Sequence, residues 1–347
     1  MKFSCIVFES KERAVFKTEE KDVVLSGNQV RVRVDFSAIS AGTELANYHA
    51  LPNTAANAYQ GMHVTGDSLF PIYPGYSSSG HVEAIGPEVK NLKVGDRVIP
   101  QWCGHCSVFI RPETQMVMIP DRVESIDASF TQITAFPMLG VRKLKIELGE
   151  SVMVAGLGVL GLFAIQFARL SGAYPVLACD FSAERRALAL KLGADYVFDP
   201  RETDFIEKVK AVTGGQGPNN VVEVTGYISA LQQALEYIAW EGRITLLGCT
   251  RVSDATIDYY KYIHKRGITI IGCHTATRPK VDSQPGKWTE FDDFHTFLKF
   301  VDAGRIQVKP LITKVVSPRD AGAVYHEIGF SKNPPFGVVF DWRDIEK

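Results

Sequence analysis

The sequence predicts an α/β protein in which a β-rich domain is joined to a doubly wound parallel sheet. Three observations carry this. Strand-like apolar runs at 151–155, 175–180, 196–198, 220–224, 243–248 and 268–272 alternate with helix-period segments at 159–170, 182–192, 203–212 and 229–239. Ahead of them the chain is strand-rich, with period-two runs such as Gln29-Val-Arg-Val-Arg-Val-Asp35. At 347 residues it is also long for a single hydrophobic core, so the change of period near residue 129 reads as a domain boundary.

In the first part, Gly80-His-Val-Glu-Ala-Ile-Gly86, Val94-Gly-Asp-Arg-Val98 and Ser107-Val-Phe-Ile110 continue the strand pattern, with turns at Gly75, Gly86-Pro87 and Gly95-Asp96. Between Leu51 and Phe70 runs a polar loop carrying Tyr59, His63 and Asp67, long enough to be functional. After the parallel-sheet region, Arg278-Pro-Lys-Val-Asp-Ser-Gln-Pro-Gly-Lys-Trp288 is a Pro- and Gly-punctuated connector. A helix at 291–303 and strand-like ends at 311–316 and 336–341 follow, and these are expected to rejoin the first domain. The predicted domains are therefore 1–128 with 279–347, and 129–278.

Within the second domain the first strand-like run meets glycines spaced G-x-G-x-x-G, Gly156, Gly158 and Gly161, and a helix follows. Gly156 allows the turn, Gly158 lets a pyrophosphate approach the backbone, and Gly161 lets the helix sit close on the strand. Val159 and Leu160 complete a first helical turn whose unpaired amides attract phosphate. The next run ends at Asp180, nineteen residues past Gly161, where a carboxylate can accept ribose hydroxyls and would repel a 2′-phosphate. NAD is thus expected in preference to NADP, with Arg185 and Arg186 one helical turn later pulling the other way. Thr225, Gly248, Cys249 and His274 fall at the carboxyl ends of later strands and should line the same cofactor.

A net charge of −1 without acidic or basic blocks argues for small-molecule partners, not nucleic acid or an anionic membrane. The N-terminal apolar run is too short for a signal peptide, and no run is long enough to span a bilayer. The six cysteines are scattered, which suits buried free thiols in a cytoplasmic enzyme.

Taken together, Gly80 to Gly86, Lys93-Val-Gly-Asp-Arg-Val98, Gly156 to Gly161, Lys191-Leu-Gly-Ala-Asp195 and Glu241-Gly-Arg-Ile-Thr-Leu-Leu-Gly248 resemble the medium-chain dehydrogenase/reductase superfamily along nearly the whole chain. The resemblance implies a GroES-like catalytic domain, a Rossmann dinucleotide domain and a dimer paired through the last sheet strand, here Ile268-Thr-Ile-Ile-Gly272. It also implies where zinc would sit in zinc-dependent members, and there this chain departs. Their C-G-T-D reads Ala41-Gly-Thr-Glu44, their G-H-E reads Gly75-Tyr76-Ser77, and their later ligand falls near Gln132. None of these places supplies a metal ligand, and Cys103-Gly-His-Cys106 offers at most half a structural site, so no metal is expected.

The substrate oxygen still needs a hydrogen-bonding partner during hydride transfer. Thr43 matches the relay hydroxyl of the family motif. Tyr76 and Gln132 stand in vacated ligand places, and Glu44, His49 and Ser40 are the nearest groups in sequence that could take a proton. Tyr59, His63, Trp102 and Arg278 are candidate substrate contacts, of the kind that bind hydroxyl-rich rings. The resulting expectation is a zinc-independent, NAD-dependent dehydrogenase of a secondary alcohol, in a polyol, sugar or glycoside. An NADPH-dependent quinone or enone reductase and a non-catalytic dinucleotide-binding protein are the alternatives.

Overall fold

The computed structural model describes residues 1–52, 70–251, 255–284 and 286–345. It divides into two compact units, Met1–Ile133 with Phe294–Lys347, and Thr134–Asp293.

The first unit opens with an antiparallel hairpin of β1 (Lys2–Ser10) and β2 (Arg13–Glu20). β3 (Gln29–Ala38) follows, burying Val30, Val32 and Val34 as the period-two pattern requires. Then come α1 (Ala41–Tyr48), β4 (Ser78–Ile85), β5 (Arg97–Pro100), β6 (Val108–Pro112), β7 (Met116–Met118) and α2 (Ser125–Ala128). α3 (Thr131–Leu144) is a helix that the sequence pattern did not announce, because Pro137 and Gly140 lie inside it.

In the second unit β8 (Val152–Ala155), α4 (Val159–Leu170), β9 (Val176–Cys179), α5 (Ala183–Lys191) and β10 (Tyr196–Phe198) form one half. α6 (Phe205–Ala211), β11 (Asn220–Glu223), α7 (Ile228–Tyr237), β12 (Arg243–Leu246) and β13 (Thr269–Gly272) form the other. All six strands are parallel, in the order β10-β9-β8-β11-β12-β13. Each half therefore winds outward from β8 and β11, and the order reverses between those two strands, which is where such sheets take ligands. Phe205, Tyr237, Val221 and Ile244 are among the buried side chains of this unit's core.

α8 (Glu290–Asp302) leads back to the first unit, where β14 (Lys314–Val316), α9 (Ala321–Phe330) and β15 (Val338–Asp341) complete it. β15 pairs antiparallel with β3, so the C-terminal strands do extend the first sheet, in the order β14-β15-β3-β4-β5-β7. Phe8, Tyr48, Tyr325 and Phe340 form its aromatic core, Phe8 meeting Tyr325 edge-on with centroids 4.8 Å apart. The return comes at Phe294, later than the residue 279 read from the connector. The reason is Asp293, whose buried carboxylate binds Arg142 at 2.9 Å and Arg278, holding the segment before it in the second unit.

Candidate active site

At the end of β8, Gly156 has φ +96°, and a Cβ there would meet Thr225 Cγ2 at 2.9 Å. A Cβ on Gly161 would lie 1.9 Å from the carbonyl oxygen of Gly156, so the packing of α4 on the turn demands glycine. Gly158 is different. Its φ is −70°, and a Cβ there meets nothing within 4 Å, so the protein itself leaves that space open. As N-cap of α4 it offers no side chain to the first-turn amides. Gly158, Val159 and Leu160 are half-buried, whereas Gly161 to Ala168 are buried. First-turn amides without a side-chain cap, next to the open space over Gly158, are of the kind that attract an anion.

Across the switch point, Glu223 ends β11 only 1% exposed. Its carboxylate accepts Thr225 N at 2.7 Å, the Thr225 hydroxyl, and Gly226 N at 3.1 Å. Burial raises its pKa, and these three donors oppose the rise. A Cβ on Gly248 would lie 2.2 Å from Gly226 N, and Gly226 packs on the backbone of Cys249. The structure thus brings Gly156, Thr225, Gly248 and Cys249 together, with Glu223 as the fixing residue that sequence reasoning missed. Asp180 accepts Leu157 N and Ser182 N, both at 2.8 Å, which ties the end of β9 to the glycine turn. Arg186 is occupied by the Asp180 and Phe181 carbonyls and by Asp199 at 3.2 Å, while Arg185 sits in the first turn of α5 with its amide on Ser182 Oγ. His274 follows β13 and accepts Ala276 N at 3.1 Å through Nδ1; burial holds its pKa below the usual value.

The first unit gathers a second set. Tyr76 donates a short hydrogen bond to Ser40 Oγ, and its ring lies 5.5 Å from that of Trp102. Trp102 N donates to Gln132 Oε1 at 3.2 Å. Trp102 also has φ +55°, a costly conformation for a residue with a Cβ, and keeps 45% of its surface exposed. Thr43 lies half-buried in the first turn of α1, three residues past Ser40. So Ser40, Tyr76, Trp102 and Gln132, separated by up to 92 positions of sequence, form one connected cluster. Ser77 serves the fold: it donates to Ser129 O at 2.5 Å and accepts Ile133 N at 3.3 Å, anchoring the start of α3.

Three expected site residues take other roles. Glu44 is 1% exposed, and both carboxylate oxygens are taken, by Ser40 N at 2.7 Å, His105 Nε2 at 2.9 Å and the Tyr325 hydroxyl, so it is no proton acceptor for a substrate. His49 caps the far end of α1, with Nδ1 on Glu12 at 3.0 Å and its ring edge-on to Tyr48 and Phe330. Six residues of helix place it about 9 Å along the axis from Thr43. Arg278 is 9% exposed and spends its guanidinium on Asp293 and the Ala135 carbonyl, which makes it structural. Tyr59 and His63 lie outside the described residues. His105, Tyr325, Ser37 and Trp342 carried no local signal, since each belongs to a different element and only the fold joins them.

The donor set at the places where the resemblance puts catalytic zinc does not fit the metal. Ala41 has no donor and packs on the core, the Tyr76 hydroxyl is on Ser40, and the Gln132 amide is on Trp102. Among the described residues no three His, Cys, Asp or Glu side chains are grouped as metal ligands. Cys103 and Cys106 are buried free thiols with sulfurs 3.9 Å apart. Of the six cysteines, Cys249 alone is exposed. Among the described residues no helix is long and apolar enough to cross a membrane.

The fold agrees with what the chain is similar to. The description of an alcohol dehydrogenase GroES-like domain matches residues 27–145, and that of a zinc-binding dehydrogenase matches 159–295. D-guloside 3-dehydrogenase of Escherichia coli is 26% identical over 321 residues, 88% of this chain and 90% of that protein. L-threonine 3-dehydrogenase of Pyrococcus horikoshii is 29% identical over 272 residues, 70% of this chain and 74% of that one. A solved structure from Sinorhizobium meliloti, described as a zinc-binding dehydrogenase bound to NADP, shares the fold with a TM-score of 0.80 at 20% identity, over 98% of this chain and 99% of its own. The chain belongs to the medium-chain dehydrogenase/reductase superfamily, with a GroES-like unit and a Rossmann-like parallel-sheet unit. It is an oxidoreductase of that dinucleotide-binding family.

Proposed function

We propose that the protein is a zinc-independent, NAD-dependent dehydrogenase of a secondary alcohol or its ketone, with a polyol, sugar or glycoside as substrate. The observation that carries this is the Ser40–Tyr76–Trp102–Gln132 cluster, which is polar and aromatic instead of apolar and includes two of the places, Tyr76 and Gln132, where the resemblance puts metal ligands. NAD, when bound, exchanges the hydride. The protein's own part is to hold the dinucleotide and to hydrogen-bond the substrate oxygen. Ser40 and Tyr76 satisfy each other at rest. If the Ser40 hydroxyl rotates to donate to Tyr76, the Tyr76 hydroxyl is released to donate to the oxygen as negative charge develops there. The half-exposed Trp102 face supplies an apolar platform of the kind sugar rings stack on, which fits a strained residue kept for function. Relatedness to a guloside dehydrogenase supports the same substrate class.

The Asp180 carboxylate supports NAD, since it would repel a 2′-phosphate, and Arg186 is tied to the Asp180 and Phe181 carbonyls and to Asp199, which it shares with Arg201. Among the described residues β13 pairs only with β12, and its open edge supports a homodimer, which sedimentation would check. The test of function is turnover of sugars, polyols and glycosides by metal-stripped protein with NAD or NADP. Activity without metal, with NAD preferred, is expected. Activity that disappears on stripping and returns with zinc overturns the mechanism. A clear NADPH preference with reduction of enones points to the reductase alternative, and tight NAD binding without turnover across the panel points to a non-catalytic role.

A further inference from the structure

Ser40 is the N-cap of α1, where a serine hydroxyl ordinarily accepts an amide of the first turn. Here it makes no such bond. Thr43 N and Glu44 N both close on the Ser40 carbonyl, at 3.1 and 2.9 Å, and the Glu44 carboxylate reaches back to Ser40 N at 2.7 Å. Glu44, one residue later than the N3 glutamate of a capping box, thus covers the Ser40 amide, while the serine half of such a box is absent. The hydroxyl left over is the one that Tyr76 uses.

The carboxylate that makes this possible is itself held by two groups from elsewhere in the fold, His105 and Tyr325. Trp342 Nε1 donates to Ser37 Oγ at 2.8 Å, and that oxygen lies 2.7 Å from His105 Nδ1. His105 Nε2 faces the Glu44 carboxylate at 2.9 Å, with the Tyr325 hydroxyl beside it. His105 also packs against the backbone just before Tyr76, the other residue of the pair. Gly75, immediately before Tyr76, has φ +86°, and a Cβ there would be 2.6 Å from the His105 ring, while His105 N donates to Pro74 O at 3.0 Å.

We propose that Glu44 and His105 are a buried positioning pair for the Ser40–Tyr76 hydroxyls: Glu44 turns Ser40 away from capping its own helix, and His105 seats the backbone that carries Tyr76. This rests on the reading of Tyr76 as donor to the substrate oxygen, but it makes a claim about geometry that stands apart from turnover.

The test uses the full chain with Glu44→Ala, Glu44→Gln, Ser40→Ala, the Glu44→Ala/Ser40→Ala double variant and Tyr76→Phe. In a crystal structure of Glu44→Ala the Ser40 hydroxyl is expected on the Thr43 amide and parted from Tyr76. Finding it still on Tyr76 overturns the proposal, whether or not a substrate is known. With a substrate, Glu44→Ala and Ser40→Ala should each lower kcat about tenfold to a hundredfold with little change in KM. The double variant should be no slower than the slower single one, even though its Tm falls further. Losses in kcat that multiply overturn the proposal. Glu44→Gln keeps an acceptor for Ser40 N and should restore most of kcat at a lowered Tm. If Glu44→Ala does not fold, this variant and its crystal structure decide, and a Glu44→Gln protein with Ser40 still on Tyr76 but kcat as low as Ser40→Ala overturns it. A Tyr76→Phe protein with undiminished kcat removes the reading of Tyr76 as donor and leaves the placement of Ser40 to be judged by the structures alone.

Discussion

At the glycine turn the groups that would meet a ligand are backbone amides and open space, set within residues 156–161 and a few neighbours. At the Ser40–Tyr76 cluster they are side chains drawn from β3's end, the start of β4, the turn before β6 and the start of α3. The first can be damaged only by adding atoms or removing the acids that hold the loops. The second can be damaged by removing a single hydroxyl while the fold stands. On the proposed function, binding and chemistry are thus built on different materials.

Variants can break that contrast, and the largest effect is expected at Gly161. Gly161→Ala places a Cβ against the Gly156 carbonyl and should cost about 3 kcal/mol or more in urea unfolding, with NAD binding lost. Gly158→Ala meets no protein atom, so its unfolding free energy should stay within about 0.5 kcal/mol of the parent. Calorimetric NAD affinity should nevertheless fall about tenfold. Equal stability losses at the two glycines would mean that the space over Gly158 is not a ligand's.

Tyr76→Phe should sharpen the other side, with kcat down about a hundredfold and both Tm and NAD affinity unchanged, measured on the substrate found in the panel. A smaller effect is expected from Asp180→Asn, which keeps an acceptor for a loop amide but removes the charge; the preference for NAD over NADP should shrink by about tenfold in paired binding titrations.

The smallest effect is expected from Asp127, which is buried in α2 with Oδ1 unpartnered among the described residues. Burial raises its pKa from 3.8 to about 6, with Lys309 pulling it down and Glu124 adding to the rise. Since the folded value lies above the unfolded one, its stabilising contribution is full below the unfolded pKa and is lost as pH rises through the folded pKa. Asp127→Asn should therefore leave stability at pH 4 nearly unchanged and raise it by about 1–2 kcal/mol at pH 8, read from urea unfolding at both pH values. NAD affinity should not move. A matching gain at pH 4 would show that the carboxyl's charge is not what is felt.

The residues explain what was legible in advance. The strands and helices of the second unit fell within about two residues of their predicted ends, because a doubly wound sheet repeats one local unit and its glycine turn is a contiguous signature. The β-rich character of the first unit and the return of the C-terminal strands were equally local in origin. α3 was hidden by Pro137 and Gly140, whose cost the buried surroundings of that helix outweigh. Arg278 and Glu44 looked like site residues for their charge and position, yet a buried charge needs partners, and Arg278 is held by Asp293 and the Ala135 carbonyl and Glu44 by Ser40 N, His105 and Tyr325.

By itself, then, the sequence determined the two-part α/β architecture and the glycine turn with Asp180 after it, and set the expectation that Ala41, Tyr76 and Gln132 stand in metal-ligand places. Only the tertiary structure decided that Ser40 would give its hydroxyl to Tyr76, that Glu44 would be locked by His105 and Tyr325, and that Glu223 would hold the loop facing the turn. Periodicity and motif spacing report on neighbours along the chain. Hydrogen bonds between residues as far apart as Glu44 and Tyr325 come into being only when packing brings their elements together.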